Sequence, residues 1–276
     1  MNMLWWILII IGVPVVGFLY VFLPADMPHY VKKAYRGRYY AHRGLHDLDE
    51  SVPENSLTAF KKAAEKGYGV ELDVHLSADG QVVVFHDDDL RRACGVDKKI
   101  ADCTYDELQQ YSLFGTSEKI PLFSSVLAAY NGAAPMIIEI KTGRKNAELC
   151  QKVCDRLENY KGKICIESFD PRVLRWFKKH RPRIVRGQLC QRAEHYNNQP
   201  KALSWALANC AVNFIGRPHF IAYRIEEKPA LVRMVLTMGA MDVCWTSRKT
   251  GEGEGADCVI FENYLPEPRF DTEKKG

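Results

Sequence analysis

Polar and apolar residues alternate strictly from Glu71 to Leu76, with Glu71, Asp73 and His75 on one face and Leu72, Val74 and Leu76 on the other. This period of two predicts a strand with one polar face. Ser77-Ala78-Asp79-Gly80 is a turn signal, and Gln81 to His86 reads as a returning strand. Pairing Leu76 with Gln81 predicts that His86 lies opposite Glu71, on the face that carries Asp73.

From Arg38 onward, strand-like and helix-like stretches alternate, which predicts parallel strands in an α/β fold. The strands expected are Tyr39 to His42, Val70 to Asp73, Met136 to Lys141, Ile164 to Ser168, Ile184 to Leu189, Val212 to Ile215, Met241 to Thr246 and Cys258 to Phe261. The arm ending at His86 is an extra hairpin extension at the rim, because four residues cannot make a parallel crossover. Ser56 caps one predicted helix, and Asp170-Pro171 opens another with a proline at its first position. Between Thr246 and Cys258 the run Gly251-Glu252-Gly253-Glu254-Gly255 cannot hold a stable helix.

Leu4 to Leu23 has another character, with no charged residue over a length that suits roughly 30 Å of hydrocarbon. Trp5, Trp6 and Tyr20 stand near its ends, and neither a basic leader nor a small-x-small cleavage site accompanies it. These features predict a single uncleaved transmembrane helix at 4–23 and a juxtamembrane linker at 24–37. A barrel-sized catalytic domain would follow at 38–265 and a polar tail at 266–276. Lys32, Lys33, Arg36 and Arg38 follow the span, so the positive-inside bias predicts a single-pass membrane protein with a cytoplasmic catalytic domain beside the lipid bilayer.

Composition adds little to this. A net charge of +4 with no long basic run gives nucleic acid binding no support. Nine cysteines without a Cys-x-x-Cys pair argue against a disulfide framework or a zinc site.

Candidate chemistry concentrates between His42 and His86. Acid–base groups, hard oxygen ligands and cations lie close together there, the combination that metal-assisted phosphate ester chemistry needs. His42-Arg43-Gly44, Pro53-Glu54-Asn55, Glu71-Leu72-Asp73, Asp79-Gly80, His86-Asp87 and Glu139-Ile140-Lys141 occur in the order found in the glycerophosphodiester phosphodiesterase family, which the chain resembles over most of residues 38 to 265. The resemblance implies a TIM-type (β/α)8 barrel. It also implies Glu71, Asp73 and Glu139 as ligands of one divalent ion, Mg2+ or Ca2+, with His42 and His86 as catalytic groups and Arg43 and Lys141 as phosphate contacts. The implied reaction converts a glycerophosphodiester to sn-glycerol 3-phosphate and an alcohol.

Trp245 ends the predicted seventh strand and is read equally as core or as lining of the substrate pocket, as its family counterpart is; Phe169 is similarly placed. Glu54 and Asn55 read as polar groups serving the start of a helix, and Asp87 to Asp89 as a solvated acidic run. Two other functions compete: a lysophospholipase D acting on membrane lysophospholipids, and a non-catalytic anchored scaffold.

Overall fold

The computed structural model describes residues 3–46, 51–197 and 199–270. In chain order the elements are α1 (Met3–Phe22), α2 (His29–Tyr35), β1 (Arg38–Ala41), α3 (Leu57–Glu65), β2 (Gly69–Leu76), β3 (Val82–Val84), α4 (Arg91–Cys94), α5 (Tyr105–Leu108), α6 (Phe123–Tyr130) and β4 (Met136–Ile140). They continue with α7 (Asn146–Leu157), β5 (Ile164–Ser168), α8 (Pro171–His180), β6 (Val185–Cys190), α9 (Lys201–Ala208), α10 (Asn213–Gly216), β7 (Phe220–Arg224), α11 (Ala230–Thr237), β8 (Met241–Ser247) and β9 (Cys258–Phe261).

Eight parallel strands run in the order β1-β9-β8-β7-β6-β5-β4-β2, and β2 pairs back with β1 through Tyr40↔Gly69 and Ala41↔Val70. The sheet is therefore a closed TIM-type barrel, with β3 attached antiparallel to β2 as the predicted hairpin. Its interior is packed by Tyr40, Ile137, Cys165, Val185, Phe220, Met241 and Cys258, with Met27 and Tyr35 entering from below. At the bottom, α2 closes the barrel: the Tyr35 hydroxyl donates to the Ile164 carbonyl and the Tyr40 hydroxyl to the Tyr35 carbonyl. Phe220 fills the interior beside Gly187, where a Cβ would come within 1.9 Å of its ring. All nine cysteines are free, and eight are buried.

Three expectations are corrected. The sixth barrel strand is β7, Phe220–Arg224, and Val212 to Ile215 belong to the turn and short helix of α10. A four-residue stretch with three apolar positions carries no period that separates strand from helix. Asn213 settles the matter locally by donating its side-chain amide to the Phe22 carbonyl. The hairpin register also differs, since Leu76 pairs with Val82 and Val74 with Val84. The Ser77 hydroxyl lengthens the turn by accepting from the Gln81 amide. His86 therefore reaches the barrel mouth because the chain leaves the strand after Val84.

The third correction concerns the membrane. Among the described residues no helix is long and apolar enough to cross a membrane, so the single-pass topology and the cytoplasmic placement drawn from it do not stand. The end of α1 belongs to the folded domain: Phe22 is buried with Cys190, Ile221 and Tyr223. Arg217 donates to the carbonyls of Tyr20 and Leu23 and lies 4.3 Å over the Tyr20 ring. Those last residues are spent on packing, and Pro14 interrupts the hydrogen bonding of what precedes them.

No helix separates β8 from β9. The glycine loop packs directly on the sheet: Gly253 (φ +80°) sits where a Cβ would meet Cys244 Sγ at 2.2 Å. Beyond β9 the chain doubles back along β1, pairing Arg269 with Arg38. Phe270, Tyr264 and Phe261 pack edge-on around Tyr39 and cover the closing seam. The rest of the expected polar tail, 271–276, lies outside the described residues. A second small core (Phe85, Leu90, Ile100, Leu108, Leu113, Ile120) organises the segment between β3 and α6 as a cap over one side of the rim.

Candidate active site

In a barrel of this kind the loops at the C-terminal strand ends form the functional face. A cleft of about 170 Å3 opens there, lined by His42, Arg43, Glu71, His86, Glu139, Lys141, Phe169 and Trp245, among others. All nine residues singled out from the sequence thus meet at one place, with Asp73 buried directly behind the lining at 1% exposure.

Strand register does most of this work. Asp73 pairs with Glu139 across β2 and β4, so both carboxylates stand at one level and face inward. Glu71 is two residues earlier on the same face of β2. Ligand oxygens of Glu71, Asp73 and Glu139 lie within 4.8 Å of one another.

Burial and mutual repulsion raise the carboxyls of Glu71 and Glu139 above their ordinary range. Asp73 goes the other way. Despite burial it is held well below the ordinary range by Lys141, His86 and Arg43. Lys141 Nζ lies 2.8 Å from Asp73 Oδ1 and 2.9 Å from Glu139 Oε2. Burial opposes its charge, yet these two carboxylates raise its pKa. A set of hard carboxylate oxygens, buried and mutually repelling, fits a divalent cation such as Mg2+ or Ca2+.

Arg43 follows β1 in a left-handed conformation (φ +55°) that aims its backbone N–H at Glu71 Oε2, 3.1 Å away. Its side chain bonds Glu54 at 2.8 Å and approaches Asp73 at 3.8 Å. Asn55 donates to Asp73 Oδ2 at 2.9 Å. Glu54 and Asn55 therefore hold the site, whereas their sequence context suggested only a helix start, a task that Ser56 performs by capping Ala59.

Each histidine carries its own carboxylate. His42 Nδ1 lies 2.6 Å from Glu262 Oε2, and His86 Nδ1 lies 2.5 Å from Asp87 Oδ1. Carboxylates only accept, so the proton sits on Nδ1 in each ring and leaves Nε2 free. For His42 that free nitrogen faces Glu71, at 4.0 Å. Burial raises the Glu262 carboxyl, but His42 and Arg248 outweigh it and bring it down to about 2. Burial, then Arg43, pushes His42 down to about 4. His75 does not touch the acidic group; its Nε2–H donates to the His86 carbonyl at 3.2 Å and fixes the segment that carries His86.

Phe169 and Trp245 meet edge-to-face with centroids 5.7 Å apart, and the Trp245 indole donates to the Ala222 carbonyl at 2.9 Å. This aromatic wall faces the charged one across the cleft. Glu262 and Glu167 were missed in the sequence. Both stand at or just beyond a strand end facing the mouth, which was the available signal.

The fold is a parallel eight-stranded TIM-type barrel whose mouth gathers a buried carboxylate cluster, two carboxylate-paired histidines and several cations. The sequence matches the glycerophosphoryl diester phosphodiesterase family over residues 42–264, and the chain belongs to that family. It is 34% identical over 163 residues to the lysophospholipase D GDPD1 of Rattus norvegicus, covering 54% of this chain and 50% of the relative. It is 33% identical over 162 residues to a glycerophosphodiester phosphodiesterase of Caldanaerobacter subterraneus, covering 55% of this chain and 65% of the relative. The chain thus spans about half the length of the lysophospholipase D it matches. An Oleispira antarctica phosphodiesterase solved with the product sn-glycerol-3-phosphate shares the fold, with a TM-score of 0.69 at 21% identity over 83% of this chain and 94% of that one.

Proposed function

We propose that this protein hydrolyses glycerophosphodiesters to sn-glycerol 3-phosphate and an alcohol, with the barrel of residues 38–265, closed from below by α2, as the catalytic unit. The observation that carries the reading is the meeting of Glu71, Asp73 and Glu139 with two carboxylate-paired histidines in one cleft. Held by those three residues, a divalent ion would polarise the phosphoryl group and neutralise charge developing on it. Arg43 and Lys141 supply positive charge beside the same phosphate.

The free Nε2 of one neutral histidine takes a proton from the nucleophile, while the other ring, protonated at both nitrogens, gives its Nε2 proton to the leaving alkoxide. Glu262 and Asp87 hold the Nδ1–H of each ring, so the proton exchanged is the one at Nε2. Phe169 and Trp245 offer apolar surface to the glycerol carbons.

A lysophospholipase D reaction at the same site is the second reading. Beside the rim lies a separate cleft of about 310 Å3, with Leu45, Phe261, Tyr264 and Leu265 forming an apolar wall and Lys62, Glu65, Lys66 and Glu262 charged groups around it. Its apolar wall suits an acyl chain, and the rat relative is named for that activity.

The test compares glycerophosphocholine with lysophosphatidylcholine, assaying glycerol 3-phosphate, choline and lysophosphatidic acid. Glycerol 3-phosphate from the first substrate supports the diesterase. Choline with lysophosphatidic acid from the second alone would move the assignment to lysophospholipase D. Turnover of neither in the folded, metal-supplemented protein would contradict both.

A further inference from the structure

One inward-facing acid at the barrel mouth is used by neither the histidine pairs nor the acidic triad. Glu167 lies on β5 and lines the cleft. Register sets it directly across from Glu139, as Glu139 is set across from Asp73. Three neighbouring strands thus present a carboxylate at the same level of the interior, with Glu139 in the middle. On the next strands the register sets Gly187, Phe220 and Met241 at that level, none of them charged. Packing alone therefore gives no reason for an acid here.

Glu167 is 1% exposed, and its Oε2 has no hydrogen-bond partner among the described residues. Buried polar atoms are almost always bonded, and a carboxyl left without a partner destabilises the fold. The nearby cations are committed elsewhere: Lys141 to Asp73 and Glu139, Arg43 to Glu54 and Asp73.

We propose that Glu167 is a fourth carboxylate ligand of the divalent-ion centre formed by Glu71, Asp73 and Glu139. The role rests on the functional reading above and adds a residue to it. A four-carboxylate set suits Ca2+, which takes six to eight oxygens in flexible geometry, better than Mg2+, which keeps several waters in a strict octahedron.

The test is calorimetric titration of the full chain with CaCl2 after chelation, for wild type, Glu167→Gln and Glu71→Gln. Glutamine has the shape of a neutral carboxyl, so Glu167→Gln keeps the packing while removing the ionisable ligand. Melting in EDTA checks that the fold is kept. The expected result is Ca2+ affinity about tenfold weaker in Glu167→Gln, the scale seen when groups supporting a metal are removed, with binding abolished in Glu71→Gln. Unchanged affinity in Glu167→Gln, beside loss in Glu71→Gln, would overturn the role of Glu167 alone. No binding by wild type of Ca2+, or of Mg2+ in a parallel MgCl2 titration, would instead sink the functional reading beneath it. Glu167→Asp, which shortens the reach but keeps the charge, serves if the glutamine variant does not fold; it too is expected to bind more weakly, and unchanged affinity there would equally overturn the role.

Discussion

His42 and Glu262 come from the ends of β1 and β9, adjacent strands 220 residues apart in sequence, and their side chains meet at 2.6 Å. Arg248 holds the other Glu262 oxygen at 2.7 Å, so the carboxylate is fixed from both sides and the imidazole is aimed at the acidic group. Glu262→Gln is expected to lower kcat by about 100-fold, within the range for loss of a positioned acid–base group. Its effect on KM should be small, and steady-state kinetics with an unchanged melting profile would separate this from misfolding.

The same carboxyl gives a pH dependence with a definite sign. Its folded value, about 2, lies below the ordinary 4.5. A depressed acid stabilises the fold fully above its unfolded value and loses that contribution as pH falls toward the folded one. The stability difference between wild type and Glu262→Gln should thus be constant above about pH 5 and shrink from there toward pH 2. Urea unfolding across that range measures it; a gap that widens on acidification would contradict the assignment.

Lys141 neutralises two buried carboxylates, so its removal leaves uncompensated charge. Lys141→Met is expected to destabilise the metal-free protein by about 3 kcal/mol, as for breaking other buried ion pairs. Added divalent ion should restore part of the loss, because it supplies the missing positive charge. Melting curves with EDTA and with CaCl2 read both effects.

Chelation itself should lower the stability of wild type. An ion at 100 times its dissociation constant stabilises the folded state by about 2.7 kcal/mol. The shift should disappear in Glu139→Gln, which removes a ligand from the middle of the cluster, and thermal melting against ion concentration checks both expectations.

Gly187 tests the packing beneath the site. The Phe220 ring occupies the space a methyl would need, so Gly187→Ala should cost about 2 kcal/mol through overpacking of the interior. Phe220→Leu in the same background should recover part of it, as denaturant unfolding would show.

The legible part of this protein is the part written in local period and spacing. Alternation along β2 and β4 was enough to put Glu71, Asp73, Glu139 and Lys141 on inward faces. His42 at the end of β1 followed from the same logic. What failed depended on context beyond a few residues. The sixth barrel strand was misplaced because Val212-Asn213-Phe214-Ile215 and Phe220-Ile221-Ala222-Tyr223 are both short, largely apolar stretches, and only tertiary packing chooses between them. The hairpin register turned on one serine hydroxyl. The partnership of His42 with Glu262 exists only once the barrel closes, so no local pattern announces it. The first helix looked long enough for a bilayer until its last turn was found bonded to Asn213 and Arg217.

Reconstituting the chelated protein with Mg2+ or Ca2+ and measuring glycerol 3-phosphate release from glycerophosphocholine, beside Glu71→Gln, His42→Ala and His86→Ala, decides whether the cleft is a metal-dependent diesterase. Release is expected to return with the ion in wild type and to fall by at least about 100-fold in each variant. Equal release with and without the ion, or full activity in either histidine variant, would contradict that assignment.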